Sequence, residues 1–534
     1  MCECVGHVVI LESGASLKHF PKQPMKVCLV EPSKFISLTN LVSTISMPPI
    51  GLAYIAAAIR ERGHDVTVVD GSGSAPRSYH IFKDKIRIRG LTQKQVIERI
   101  PSDTQVIGLG CMFTSHWVYV RELVCKIRKS FPNVFLLMGG EHVTGFPKFS
   151  LEQVPLDCVV MGEGEETIVQ LLEHVEKSLP LDDVTGIAYK DSEGLIRENS
   201  RRNRVKEIDS IAKPAWDLFD IEKYNEVNQP HGSFQGKFMP MLATRGCPFS
   251  CTFCTSPNMW TTQWIPRDPK LVVDEMQEYQ KKYSVTDFQF EDLTAIVRKD
   301  WISNFCDTII QRGMRVTFQL PSGTRSEGID FEVAKKLKAA GCHEFSFAPE
   351  SGDPRVLQAI KKKVSLPKMF DSARSALKAG ISVGCYFIIG FPEDDYRSVL
   401  RTYGAIIQCA WIGFTSLNLN AYSPQPNTES FQRLQERGVI TELDDQYLTS
   451  LFTFQDLGAK KTSYNSRFGD LELSLMVNLG VFLFYGIYFL RKPHRIIQLL
   501  SDLGNKSSGN KSTKMAKSFF KDAIAIVKNK LIKA

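Results

Sequence analysis

The chain has 534 residues, 43% hydrophobic and 23% charged, which is too long for one ordinary core and balanced like a globular protein, not a disordered or fibrous one. The formal charge is +8, but eight lysines against one aspartate follow Asn505, so nearly all the excess sits in the tail; the body is close to neutral, which excludes a general polyanion-binding field and any expected nucleic-acid partner. The 13 cysteines are odd in number and lie mostly in apolar runs such as Val27-Cys28-Leu29, which excludes a disulfide framework and points to a reducing compartment.

Met1–Ser13 is apolar but carries Glu3 and no Lys or Arg, unlike a secretory leader, so a cytoplasmic protein is expected. After an extension over residues 1–24, a β/α alternation begins. Lys26–Glu31 reads as a strand. Pro49–Arg62 reads as a helix, apolar at Leu52, Ile55, Ala56 and Ile59 and stopped by Gly63. Val66–Asp70, Val106–Cys111, Val134–Gly139 and Cys158–Met161 read as strands, with helices over about Trp117–Ser130 and Glu165–Lys177. This spacing implies a parallel, doubly wound sheet, a Rossmann-like α/β domain over 25–180, with its ligand at the carboxyl ends of the strands. Those ends carry Gly110-Cys111-Met112-Phe113-Thr114, Gly139-Gly140-Glu141-His142 and Gly162-Glu163-Gly164.

Residues 181–238 read as a connector, opening with a hairpin of Gly186–Tyr189 and Leu195–Glu198. A second β/α series occupies 239–425. Strands are expected at Met241–Thr244, Asp287–Phe290, Arg315–Gln319, Glu344–Phe347, Ser382–Ile389 and Thr415–Ala421, with helices such as Leu271–Tyr283, Trp301–Arg312, Phe331–Ala340 and Leu366–Ala379. Six or so units suggest a partial or complete β/α barrel with its active site at the strand ends.

Residues 426–504 read as a helical, apolar region. Within it Leu473–Leu490 approaches bilayer-spanning length but is diluted by Ser474, Asn478, two glycines and two tyrosines, and Arg491-Lys492-Pro493-His494-Arg495 follows. It is either a helix capping the barrel or a membrane-facing one. Residues 505–534 form a basic tail, with an amphipathic pattern over Lys514–Lys533 that suits either docking on the protein or an anionic lipid surface.

The sharpest motif is Cys247-Pro248-Phe249-Ser250-Cys251-Thr252-Phe253-Cys254, a C-x3-C-x2-C spacing just after the first strand of the second series. Thiolates select Fe–S clusters or zinc. A structural zinc site takes four ligands, and no fourth Cys or His lies nearby. Three thiolates leave one iron of a [4Fe-4S] cluster open to a substrate, which a purely redox cluster does not need.

Cys247, Cys251 and Cys254 match the signature loop of the radical SAM superfamily, which the chain resembles. The resemblance implies that the open iron chelates S-adenosylmethionine and that reduction cleaves it to a 5′-deoxyadenosyl radical. It places Phe253 beside the adenine, Glu291 and Asp292 near the SAM amino group, Arg325 at the end of the third strand, Glu350 at the ribose, and Gly390-Phe391-Pro392 in an adenine-binding turn. The first domain resembles the cobalamin-binding domains fused to one large class of these enzymes. The matching segments are Pro48-Pro49-Ile50-Gly51-Leu52, Arg62-Gly63-His64-Asp65-Val66, Gly139-Gly140-Glu141-His142 and Gly162-Glu163-Gly164-Glu165, and the loop Cys111–His116 is expected at the same cofactor. The D-x-H-x-x-G loop that supplies a cobalt-ligating histidine elsewhere is absent. This leaves the lower axial position to water, nothing or another side chain, and His116, Phe113 or Thr114 could approach that face.

The function these resemblances imply is a cobalamin-dependent radical SAM methyltransferase. It would act on an unactivated carbon of a small molecule, with a lipid or tetrapyrrole as the hydrophobic case, through methylcobalamin and the 5′-deoxyadenosyl radical. Alternatives are a cobalamin-assisted oxidative cyclase or rearrangement enzyme, and a non-catalytic corrinoid- or SAM-binding regulator. A reducing donor such as a flavodoxin or ferredoxin is the expected protein partner, and the tail adds an expected peripheral membrane contact.

Overall fold

The computed structural model describes residues 24–37, 45–83, 86–325, 328–455 and 459–496. The expectations for Met1–Ser13 and for the 505–534 tail lie outside the described residues.

The first half is built from β1 (Lys26–Glu31), β2 (Lys34–Ser37), β3 (Asp65–Asp70), β4 (Tyr79–Phe82), β5 (Ile86–Arg89), β6 (Val106–Gly110), β7 (Phe135–Gly139), β8 (Cys158–Val160), β9 (Ile187–Lys190) and β10 (Ile196–Glu198). Seven of these form one sheet in the order β10-β9-β8-β7-β6-β1-β3. Its β3-β1-β6-β7-β8 part is parallel, and the hairpin β9-β10 continues it antiparallel. The hairpin therefore belongs to the sheet and not to a free connector. The strands are apolar on both faces because helices cover both. Val27, Leu29 and Val106 pack under helices Ile50–Glu61 and Glu165–Glu176. Cys28, Val30, Ile107 and Leu109 pack against helix Trp117–Ser130, and the same cluster takes in Phe431, Leu434, Tyr447 and Leu448 from the C-terminal region. That region thus caps the Rossmann-like domain as well as the barrel. The small antiparallel sheet β2-β5-β4 escapes sequence reading, since its strands are only four residues long and β5 alternates isoleucines with arginines. One of these, Arg89, is buried and donates to Pro76 O and Gln229 Oε1.

The second half contains β11 (Phe238–Met241), β12 (Thr244–Arg245), β13 (Ile265–Pro266), β14 (Asp287–Phe290), β15 (Thr317–Thr324), β16 (Cys342–Glu350), β17 (Ser382–Ile389) and β18 (Ser416–Ala421). Six strands run parallel in the order β11-β14-β15-β16-β17-β18, an open partial barrel. Phe288, Phe290, Phe318, Phe345 and Phe347 face the helical shell, while the alternate positions Gln289, Gln319, Glu344 and Ser346 are buried on the other face. The first barrel strand lies upstream of the expected Met241–Thr244. Thr244 and Arg245 pair instead with Pro266 and Ile265, and the β12–β13 connection carries the three cysteines.

Helix Asp470–Arg491 spans the apolar run Leu473–Leu490. By length and composition it is able to cross a membrane, with mean hydropathy 1.9, yet it docks on the barrel. Leu473, Val477, Phe484 and Tyr488 are buried, and a Cβ at Gly480 would lie 2.4 Å from Leu419 Cδ2, so the glycine permits the close approach. Its other face stays exposed.

Candidate functional site

The cysteine loop is held from below. Asp292 accepts from the Ala243 amide (3.1 Å), the Thr244 amide (2.5 Å) and the Thr244 hydroxyl (2.6 Å). Its carboxylate is therefore spent on the turn that launches the loop. Burial pushes its pKa up to about 6. Farther along, the Thr252 amide donates to Ile360 O (3.1 Å), and Thr252 O accepts from the Ser430 amide (2.9 Å).

Cys247, Cys251 and Cys254 are half-buried. Burial pushes all three thiols up, Cys254 to about 12, while Lys362 and Arg325 pull Cys247 and Cys251 back down. The charges are placed by the barrel ends. Lys362 Nζ pairs with Glu350 at 2.9 Å, and the Arg325 guanidinium lies over the Phe249 ring at 4.0 Å and donates to Lys363 O. Glu350 has φ +69, a conformation that non-glycine residues hold only when their surroundings impose it, and such strain clusters at functional sites. Phe253 packs edge-on against Phe391 at 5.3 Å. The amides of Gly390 and Phe391 both donate to Asp394 Oδ2, closing the turn that also carries Pro392. Glu291 meets His231 Nδ1 through Oε2 at 3.0 Å, and its Oε1 has no partner among the described residues. The same holds for Thr324 Oγ1, Ser346 Oγ and Asn420 Oδ1.

On the Rossmann side, Gly140 has φ +114, and a Cβ there would lie 2.5 Å from Cys111 O, so the loops after β6 and β7 touch backbone to backbone. Gly162 (φ +75) turns the loop after β8, and Gly164 fits against Ile55. Met112 and Phe113 are exposed. With Thr114, Glu141, Thr255 and Asn258 they line a cavity of about 230 Å³ between the strand-end loops and the cysteine loop. Glu141 accepts from Thr255 Oγ1, directly after Cys254, and burial pushes its pKa up to about 7. His116 stacks on Phe35 at 5.8 Å, and burial holds it neutral, with its pKa pulled down to about 3.

Three of the positions expected at the corrinoid are packed into the protein. His142 is fully buried, hydrogen-bonded to Thr114 Oγ1 (3.1 Å) and Ser150 Oγ (3.4 Å) beneath Trp117, as a core residue is. Glu163 is buried in ion pairs with Arg204 and Arg245. Leu52 packs into the helix–barrel cores, while Gly51 has nothing near its Cβ position. Sequence reading missed Lys362, Arg245, Arg204 and His231. Only Arg245 carried a signal, its place two residues before the first cysteine.

Burial pulls the His142 pKa down to about 3, so the fold binds fewer protons there than the unfolded chain does. Stability from this group is complete above the unfolded imidazole pKa near 6.5 and is lost as pH falls below it, by up to about 1.4 kcal/mol per unit. The buried acids act in the opposite sense, so the test is a difference. Between pH 7.5 and 5.5 the urea midpoint of the parent chain should fall more than that of His142→Gln. Equal slopes rule out a neutral buried imidazole.

Among the described residues no three His, Cys, Asp or Glu groups converge on a single ion. A cubane makes no such demand, since each thiolate binds a different iron. The donor set fits a three-thiolate cluster, the unpartnered buried oxygens of the barrel fit a polar ligand, and the glycine-lined strand ends fit a large flat one.

Comparison with known proteins agrees. Residues 241–406 match the radical SAM superfamily model and residues 37–172 the B12 binding domain model. An uncharacterised methyltransferase of Pyrococcus horikoshii is 31% identical over 71% of this chain and 77% of its own length. The cytidylyl-2-hydroxyethylphosphonate methyltransferase of Streptomyces wedmorensis is 26% identical over 79% and 84%. The structure of the radical SAM methyltransferase TsrM from Kitasatospora setae, solved with cobalamin and a [4Fe-4S] cluster, shares the fold at TM-score 0.65 and 15% identity, covering 94% of this chain and all of that one. The chain belongs to the radical SAM superfamily, in the class that also carries a B12-binding domain. It is a methyltransferase-like enzyme whose cofactors are a [4Fe-4S] cluster, S-adenosylmethionine and cobalamin.

Proposed function

We propose that the chain methylates an unactivated carbon of a small, largely apolar molecule at the junction of its two halves. In this reading Cys247, Cys251 and Cys254 hold the cluster, and Glu291, Arg325, Glu350, Phe253 and Gly390-Phe391-Pro392 hold SAM. Gly139, Gly140, Gly162, Gly164, Cys111, Thr114, His116 and Glu141 border the corrinoid. When bound, cluster and SAM supply a carbon-centred radical and the corrinoid carries the methyl group. The chain's own residues orient and seclude. Lys362 and Arg325 favour deprotonated thiols, Phe253 and Phe391 wall the site with aromatic surface, and the free oxygen of Glu291 accepts from an ammonium group. The observation that supports this reading is the contact of the cysteine loop with the Rossmann strand-end loops at Thr255–Glu141, beside a cavity lined from both. A low-potential donor, a flavodoxin or ferredoxin, supplies the electron.

The apolar substrate class rests on the C-terminal face. Leu471, Leu475, Leu479 and Phe482 of helix Asp470–Arg491 are exposed beside Leu400, Ile407 and Trp411 of helix Tyr396–Ile412. Arg491 and the lysine-rich tail follow directly. This is the composition of a surface that rests on anionic lipid. The test feeds methyl-labelled methionine to cells with the parent chain or with Cys247→Ala. A labelled product in the organic extract of the parent alone is expected. Label confined to polar products defeats the apolar class, and an unlabelled new product favours oxidative cyclisation. In parallel, the full chain should co-sediment with anionic vesicles at low salt and lose salt-sensitive binding when truncated after Leu503; indifference to anionic vesicles removes the membrane contact.

A further inference from the structure

The two cofactor-bearing halves are joined by a buried ionic clamp. Arg245 lies in β12, two residues before the first cysteine, and its guanidinium is almost wholly buried. Nη1 meets Glu163 Oε1 at 3.0 Å and Nη2 meets Glu165 Oε1 at 2.6 Å. Both acids belong to the loop after β8 and the start of helix Glu165–Glu176, on the Rossmann side. The other oxygen of Glu163 accepts from Arg204 Nε (2.5 Å) and the Val205 amide (3.2 Å). Arg204 in turn donates to Trp260 O and to Gln263 O (3.2 Å), at the far end of the cysteine loop. Two aromatic faces complete the enclosure. Arg245 lies 4.9 Å from the Tyr54 ring centroid, and Arg204 lies 5.3 Å from that of Trp260. Gly246 (φ +85) has no room for a side chain, since its Cβ would lie 2.1 Å from Gln263 O.

The clamp therefore grips the cysteine loop at both ends, tying the first through Arg245 to Glu163 and Glu165 and the second through Arg204 to Glu163. Two guanidinium groups face two carboxylates, so the network is charge-balanced, and Arg245 engages two separate acids, which fixes direction as well as distance. Arg245, Glu163 and Arg204 spend their hydrogen bonds on one another, on Glu165 and on backbone groups, and Arg204 Nη2 is buried without a partner.

We infer that Glu163 and Glu165 are positioning residues that act through Arg245, with Arg204 as the second arm, to hold the cluster loop at one fixed spacing and orientation from the corrinoid-binding loops. The inference rests on the reading that Cys247, Cys251 and Cys254 carry the cluster. Methyl and radical chemistry on one substrate demands this register, since small misplacements of reacting groups cost rate steeply.

The test is made on the holoenzyme and reads magnetic coupling, not turnover. With the cluster reduced and the corrinoid as cob(II)alamin, the parent chain should show one resolved spin–spin splitting between the two centres. The isosteric double variant Glu163→Gln/Glu165→Gln should keep its iron, sulfide and cobalamin content but lose the resolved splitting to a broad distribution. Glu163→Asp, which keeps the charge, should restore part of it in the Glu165 background. If the double variant fails to fold, Arg245→Lys decides, because it keeps the charge and loses the fork; it too should broaden the coupling. A splitting unchanged in these variants overturns the clamp while leaving the cluster reading intact. A parent chain that binds no iron overturns the cluster reading and this role with it.

Discussion

Alanine at Cys247, Cys251 or Cys254 is expected to abolish the broad visible absorbance of the reconstituted protein, its bound iron and sulfide, and its cleavage of SAM. Three thiolates on one loop leave no spare ligand. The other described cysteines are poorly placed to replace them: Cys28, Cys111, Cys158, Cys306, Cys342, Cys385 and Cys409 are buried, and the half-buried Cys125 lies on helix Trp117–Ser130 of the Rossmann side. The loss should be chemical and not structural. The three cysteines are half-buried, and the loop backbone is tied by Asp292, Ile360 and Ser430 whatever the side chains at the three positions. The triple variant should therefore keep the parent's urea midpoint within about 0.5 kcal/mol, the range for changes away from core features. It should also keep its binding of cobalamin. Full iron and sulfide content in the triple variant would falsify the cluster assignment.

What the sequence made legible follows period and punctuation. Strands such as Val106–Gly110 and Ser382–Ile389 announce themselves because parallel strands covered on both faces are continuously apolar. The cysteine loop announces itself because ligand spacing is local. The misses are of another kind. Glu163 and His142 sit in motifs that point to a ligand, yet their side chains turn inward, and only the packing of Arg204, Arg245 and Trp117 around them tells which. Asp292 and Glu291 are adjacent, so alternation along the chain sends one to the turn and leaves the other facing the barrel. Lys362 reaches Glu350 from twelve residues away across a helix, a contact no local pattern encodes. The helix Asp470–Arg491 was ambiguous for a physical reason. One face is buried like a core helix and the other is exposed and apolar, so composition alone reads both ways.

The largest effect expected on the Rossmann side comes from a branched side chain at Gly140. Its backbone has φ +114, a region that costs other residues about 1–3 kcal/mol. Added to that strain, a Cβ would lie 2.5 Å from Cys111 O and 2.7 Å from Cys111 C, and both are backbone atoms that no rotamer change moves aside. Gly140→Val must therefore push the loop after β7 away from the loop after β6, which is where the cobalamin-binding reading needs both. About one hydroxocobalamin per parent chain is expected from a one-site fold of this kind, and binding should be lost in Gly140→Val. Iron and sulfide should stay, because Cys247–Cys254 is anchored from the barrel. The comparison that gives the result meaning is Gly51→Ala. Gly51 was also expected at the cofactor, but nothing lies within 4 Å of its Cβ position, and it sits in the first turn of helix Ile50–Glu61, where alanine is favoured. That variant should bind cobalamin as the parent does. If both variants bind normally, the corrinoid does not rest on the β6–β7 loops; if Gly51→Ala alone loses it, the start of the first helix is the contact, and the glycines after β7 serve only the turn.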